Sequence, residues 1–298
     1  MPTGTEISRR FFSPPGSSRP ITLWGSSSMS SEGGGEGTPL AVRIDEHLAL
    51  SNNPAPVHAF GIGATRSEHM LLLRGLSTPQ VRVLAGARRA DGSVQVELAD
   101  GMTPSGPLRC RGSLGEVPGT LDGSSGSWWF RPDDAATVVA DGRFVSALWD
   151  VAQGSRQVLW MGKNNILDVD GVLADIASMY DAAEDPEHDN LVLGHWATEN
   201  DPVGSDTAAA LHHVNTQLAA RYGRAFLDVN AELTTPEGLT STALRPVRVL
   251  EHATTAEALD RGVVPPVLVA DDQIHLNGWG NLAVCSALVR RMQELRWL

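Results

Sequence analysis

Four short stretches of this 298-residue chain carry groups that could act together on a carbonyl carbon. "LWGSSSMSS" (23–31) offers a run of serine hydroxyls directly after an apolar segment closed by glycine. "DDQIH" (271–275) puts Asp272 three residues before His275, so one tight turn can set a carboxylate beside Nδ1 and leave Nε2 facing a hydroxyl. "MGKNN" (161–165) holds Asn164, a side-chain N–H donor, in a loop entered through Gly162. "FGIGATRS" (60–67) adds backbone N–H groups near Gly63 and Ala64. Acyl transfer uses this set: a nucleophilic hydroxyl, an imidazole to take its proton, a carboxylate to orient the imidazole, and donors aimed at the developing oxyanion. Each stretch also has a plainer reading. The serine run reads as a solvated turn, His275 as a helix-start cap, Asn164 as a turn residue, and an Asp-x-x-His match arises readily by chance. Ser26 or Ser28 replaces Ser27 if the register shifts by one. Asp271 competes with Asp272, although its spacing to His275 fits less well.

These groups meet only if the elements before them end in one place. "PITLWG" (20–25) and "PVHAFG" (56–61) read as buried strands, each closed by glycine. "PLAVRIDEHLAL" (39–50) and "SEHMLLLRGL" (67–76) read as helices, the second opened by a capping-type serine. After residue 146 the rhythm repeats. "RQVLWMGKNN" (156–165) is a strand running into a loop, "DGVLADIASMYDAA" (170–183) a helix, and "DNLVLGHW" (189–196) a strand. "SDTAAALHHVNTQLAARYG" (205–223) is a helix, "AFLDVNAEL" (225–233) a strand, and a long polar stretch to about 266 precedes the closing helix. Alternating strands and helices predict an α/β layered fold on a parallel sheet, whose functional groups gather beyond the strands' carboxyl ends. Between about 79 and 146 the pattern changes to apolar–polar alternation with turns such as Asp91–Gly92, which predicts a β-rich insertion. The expected organisation is an N-terminal arm (1–19), an α/β domain (20–78 and 147–298) and the insertion (79–146).

Composition narrows the partners. A net charge of −12 argues against nucleic-acid wrapping or adhesion to anionic lipid. No apolar run is long enough to span a bilayer, and the first twenty residues have no apolar signal core. These features predict a cytoplasmic protein, with an extracellular or phage-associated setting left open. Cys110 and Cys285 make neither a disulfide framework nor a metal cluster, and no catalytic metal or cofactor is expected. Lys163 is the only lysine; it reads as a solvated or rim residue. His195 and Trp196 close a strand on the active-site side and, with Lys163, are candidates to line a substrate pocket, packing under a neighbouring loop being the competing reading. His212 and His213 fall mid-helix. Trp128 and Trp129, inside the insertion, read first as core and second as a sugar-stacking surface.

Taken together and in this order, the blocks resemble the SGNH hydrolase superfamily of the GDSL type, flavodoxin-like serine esterases and acylhydrolases. "LWGSSS" resembles its opening strand and Gly-Asp-Ser block, "FGIGATRSEH" its glycine block, Gly162–Asn165 its Gly-x-Asn-Asp block, and Asp272–His275 its Asp-x-x-His block. The resemblance spans 20–78 and 147–298. It implies a flavodoxin-like three-layer α/β/α fold with Ser27 as nucleophile, His275 as base and Asp272 as orienting acid. It implies an oxyanion hole of the Ser27 N–H, a backbone N–H at Gly63 or Ala64, and the Asn164 side chain. Ser26 and Asn165 stand where the family has aspartates, and Gly-Ile-Gly-Ala leaves the backbone donor open between Gly63 and Ala64. The family includes carbohydrate deacetylases, lipases and thioesterases. Here no long apolar lid is visible, which favours a short acyl group, such as acetyl on a saccharide. The alternative from a different class is a catalytically degenerate carbohydrate- or partner-binding module. Acyl transfer to an acceptor other than water would use the same residues.

Overall fold

The computed structural model describes residues 19–35, 37–51 and 55–298. The arm expected over 1–19 therefore lies outside the described residues, apart from Arg19. The central sheet begins with β1 (Ile21–Gly25) and β2 (Val57–Gly61). Six strands of a separate barrel follow: β3 (Gln80–Arg88), β4 (Val94–Leu98), β5 (Arg109–Leu114), β6 (Val117–Asp122), β7 (Trp129–Pro132) and β8 (Gly142–Ser146). The sheet then resumes with β9 (Arg156–Trp160), β10 (Asn190–Leu193) and β11 (Phe226–Leu227). All its pairings are parallel, in the order β11-β10-β9-β1-β2. That is the flavodoxin-like order, whose switch point falls between the first strand and the third of the sheet, here β1 and β9.

The layers follow from strand alternation. Helices α1 (Leu40–Leu50), α2 (Ser67–Arg74), α3 (Val169–Asp181), α4 (Asp206–Tyr222) and α5 (Gly278–Glu294) flank the sheet. Trp24, Leu159 and Val192 share one core with buried residues of α2, α3 and α4. Leu23, Val158, Trp160, Leu191 and Leu193, from the alternate strand positions, share the other with α1 and α5. Each helix buries one stripe, as with Leu40, Ile44 and Leu48 of α1 or Val172, Ile176 and Met179 of α3. Burying one such side chain contributes about 1.5–3 kcal/mol. The α/β/α architecture expected from the sequence is thus present.

Three expectations change in detail. The strand expected over 225–233 is only two residues long, because the Asp228 carboxylate accepts the Ala231 N–H at 2.9 Å and starts a helix at Val229–Thr234. The polar stretch before residue 266 contains short helices at Pro236–Leu239 and Thr255–Asp260, and it buries Leu239, Leu244, Val249 and Ala258. Ser67 does not cap α2. The Arg66 N–H is instead met by His69 Nδ1 at 3.0 Å, and the Ser67 hydroxyl donates to Asp175 at 2.6 Å.

The segment between α2 and β9 closes into a barrel of order β3-β4-β7-β6-β5-β8, with β8 returning to β3. Val81, Val96, Cys110, Leu121, Phe130 and Phe144 are buried in it, in one continuous core with α2. Trp128 is core, its indole N–H donating to Met102 O at 2.8 Å, and one face of Trp129 is covered by Arg89. The Cys110 and Cys285 thiols are buried, which pushes them up to about 12 and about 11; both behave as small apolar side chains. Among the described residues no helix is long and apolar enough to cross a membrane, and no cluster of His, Cys, Asp or Glu could hold a metal ion.

Candidate active site

The parallel register brings Gly25, Gly61 and Trp160 level with one another, so β1, β2 and β9 end in one row. The loops that leave this row interlock through glycines. A Cβ on Gly25 would collide with Trp160 O, and one on Gly61 would sit 2.5 Å from the Ser30 nitrogen. Glycine is needed at both places because backbone passes where a side chain would be.

The serine run is a packed turn. Ser26, Ser27 and Ser28 are all buried, and Met29 is fully so. Ser26 O accepts the Met29 and Ser30 N–H groups at 3.1 and 3.2 Å, and Ser27 O accepts the Glu32 N–H at 3.0 Å. Ser30 donates its hydroxyl to Ser27 O at 3.0 Å, while Ser31 Oγ accepts the first N–H of α1, that of Leu40, at 2.9 Å. Two serines therefore hold the turn. Among the described residues the Ser27 N–H has no partner, as expected for donors at the start of a helix-like turn.

Asp272 and His275 are paired. Asp272 Oδ1 accepts the Ile274 and His275 backbone N–H groups, each at 2.9 Å, and Oδ2 accepts from His275 Nδ1 at 2.6 Å. Partial burial pulls the Asp272 carboxyl upward, but the His275 ring and the two backbone donors outweigh it and hold the carboxyl down at about 2. The carboxylate is thus ionised at any ordinary pH. Nδ1 carries the ring proton, and Nε2 is left with its lone pair and no partner among the described residues. The turn carrying this pair lies on the serine turn, for a Cβ on Gly33 would collide with His275 Cβ. The Ser27 hydroxyl and His275 Nε2 belong to touching loops but are not hydrogen-bonded to one another.

Asn164 sits in a 3₁₀ turn (Lys163–Asn165) entered through Gly162 at φ 108°, where a Cβ would meet Val172 at 2.5 Å. One of its side-chain N–H bonds goes to Thr65 O at 2.8 Å, and the second is unspent among the described residues. Thr65 closes the Ile62–Thr65 turn, in which Ala64 has φ 59° and the Gly63 and Ala64 N–H groups have no partner among the described residues. Asn165 Oδ1 accepts the Ser67 N–H at 3.0 Å and its Nδ2 donates to Ser67 Oγ at 2.9 Å. The Ser67 proton is already spent on Asp175, so an aspartate at 165 would set an oxygen against an oxygen there. An amide satisfies every atom in that chain.

Lys163, His195 and Trp196 form one interlocked cluster. The Lys163 side chain is only 15% exposed, not a solvated rim residue, because Nζ donates to Trp196 O at 2.7 Å, lies 4.1 Å from the centre of the Trp196 ring and faces Asp201 at 3.9 Å. Trp196 is buried against Trp160. His195 is buried too: Nε2 donates to Met161 O at 3.1 Å, Nδ1 has no partner among the described residues, and Asn215 clamps its backbone at both ends. Burial, and then Lys163, push the His195 ring down to about 3, so it is neutral. His195 borders a cavity of about 460 Å³ lined also by Asp201, Leu211 and His212. These bonds tie the turn that carries Asn164 to the segment that follows β10.

Burial also brings the Lys163 ammonium down to about 8, against the opposing pull of Asp201. As this is the only lysine, selective labelling gives a single side-chain signal. Its titration is expected to centre near 8 in the folded protein, against about 10.4 in the unfolded chain. Between those values the unfolded chain keeps a proton the folded one has released, so this group makes stability rise with pH. A midpoint at the unfolded value would contradict the buried placement.

No family model and no curated protein matches the chain. Among solved structures it is similar to one titled "Crystal Structure of TesA", at 13% identity and a TM-score of 0.49, over 93% of this chain and 99% of that one.

Proposed function

We propose that the protein is a serine esterase of the SGNH hydrolase type that cleaves short-chain carboxylic esters, acetyl on a saccharide among them. The observation that carries this reading is His275. It is held by Asp272 in the tautomer that leaves Nε2 open, on a turn packed against the one bearing Ser27, beside the switch point of the sheet. Ser27 Oγ attacks the ester carbonyl carbon while Nε2 takes its proton, and a tetrahedral oxyanion forms. The Ser27 N–H, an N–H at Gly63 or Ala64 and the second Asn164 N–H are the donors assigned to that oxyanion. The alkoxide leaves with the proton from Nε2, and water, deprotonated by the same nitrogen, then hydrolyses the acyl-enzyme and restores Ser27.

Fluorophosphonate labelling tests the assignment. One phosphonyl group per chain is expected, located at Ser27 by mass spectrometry. Labelling at Ser26 or Ser28 would move the nucleophile by one. No labelling, with no hydrolysis of p-nitrophenyl acetate, would leave the scaffold as a binding module.

A further inference from the structure

We propose that the inserted barrel is part of the catalytic apparatus, its 101–106 loop fixing the Gly63–Ala64 peptide so that the Ala64 N–H is the backbone donor, with Ser105 and Gly106 as positioning residues. The proposal rests on the reading of Ser27 as nucleophile.

The loop is anchored on its barrel side. Trp128 Nε1 donates to Met102 O at 2.8 Å, and the Met102 N–H is accepted by Asp100 at 3.0 Å. His69 ties the next residue. Its Nδ1 accepts the Arg66 N–H, so Nε2 carries the proton and donates to Thr103 O at 2.9 Å. Burial holds this ring neutral, against the pull of its bond to Thr103. The loop then bears on the turn after β2. Ser105 Oγ donates to Ala64 O at 2.5 Å, and Gly106, at φ 65°, lies so close that a Cβ there would collide with Gly63 O.

Within the turn the bonds fall at its two ends. The Thr65 N–H and hydroxyl reach Ile62 O at 3.4 and 2.6 Å, and Thr65 O accepts from Asn164 at 2.8 Å, while the Gly63–Ala64 peptide between them has no bond of its own among the described residues and Ala64 is in the left-handed region, which a residue with a side chain seldom occupies. Conformations of this kind persist when surrounding structure over-determines them, and here the barrel loop bonds one carbonyl of the turn, Ala64 O, and packs Gly106 against another, Gly63 O. The planarity of the Gly63–Ala64 peptide then sets which way its N–H faces. In a planar trans peptide the C=O and N–H point in opposite directions. Gly106 against Gly63 O therefore turns the Ala64 N–H away from the barrel loop.

The test compares Gly106→Ala, Ser105→Ala, Ser105→Thr and Gly126→Ala on p-nitrophenyl acetate, with Ser27→Ala as reference. Gly126 is also a left-handed barrel glycine, at φ 80°, but nothing lies within 4 Å of a Cβ there. Gly126→Ala thus carries the backbone strain without the contact. Gly106→Ala is expected to lower kcat about 100-fold, as for loss of an oxyanion donor, with KM changed less than about twofold and the rate of fluorophosphonate labelling falling in parallel. Ser105→Ala is expected to lower kcat about tenfold and Ser105→Thr to restore it, both set below the loss of a donor itself. Gly126→Ala should lower the melting temperature alone. If Ser27→Ala abolishes turnover while the Gly106 and Ser105 variants match Gly126→Ala, the positioning role is overturned. Should Gly106→Ala not fold, the Ser105 pair decides. If Ser27→Ala turns over normally, it is the nucleophile reading that fails.

Discussion

Ser27→Ala is expected to lower kcat for p-nitrophenyl acetate by roughly 10⁵–10⁶-fold, the scale on which serine hydrolases lose rate without their nucleophile. The fold should be untouched. Ser27 holds its turn through its backbone carbonyl, which accepts from the Glu32 N–H and the Ser30 hydroxyl, and its own hydroxyl makes no hydrogen bond among the described residues. Loss of rate with an unchanged melting temperature separates a chemical role from a structural one. Ser26→Ala and Ser28→Ala supply the contrast, since neither hydroxyl is hydrogen-bonded among the described residues; each should keep its rate within about tenfold, the residues being near but not part of the reacting set. Whatever rate remains in Ser27→Ala reports the oxyanion donors, worth about 10³-fold over water on their own. Equal rates for wild type and Ser27→Ala would remove Ser27 from the mechanism.

The parts of the site that lie close in sequence were legible there. A carboxylate three residues before an imidazole has one compact way to meet it, and glycines at the ends of β1 and β2 mark where backbone must pass backbone. The sheet was legible for a similar reason, because a strand buried on both faces needs a continuous apolar run such as "LVL" or "VLW". What sequence did not reveal depends on contacts between distant segments. Nothing in "GKNN" shows that Lys163 will be drawn under Trp196, since the attraction needs the end of β10 beside it. Asn165 reads as a departure from an aspartate until Ser67 and Asp175 are placed next to it. Thr103, Ser105 and Gly106 have no motif at all; they matter through a barrel that folds back on the turn after β2. β11 has two residues where "AFLDVNAEL" reads as a nine-residue strand, because that stretch fits a strand until Asp228 caps the helix that follows.

Asp272→Asn should cost about 10⁴-fold in kcat, with little change in KM, and its geometry makes a sharper statement than its size. The backbone N–H groups of Ile274 and His275 both point at Oδ1. An asparagine must therefore present its carbonyl oxygen to them, since the opposite orientation would set two donors against an NH₂ group. The NH₂ then faces His275 Nδ1 in the place of Oδ2 and donates to it. That bond requires an unprotonated Nδ1, so the ring proton moves to Nε2, the atom that must accept the serine proton. The backbone thus locks the variant in the unproductive tautomer. Asp272→Ala has no such lock, because a ring without a partner on Nδ1 can take either tautomer. Alanine is therefore expected to retain more activity than the nearly isosteric asparagine. The ordering of the two variants, measured in one assay at neutral pH, checks the argument. Asparagine above alanine would mean that the backbone donors do not dictate how the side chain at 272 is turned.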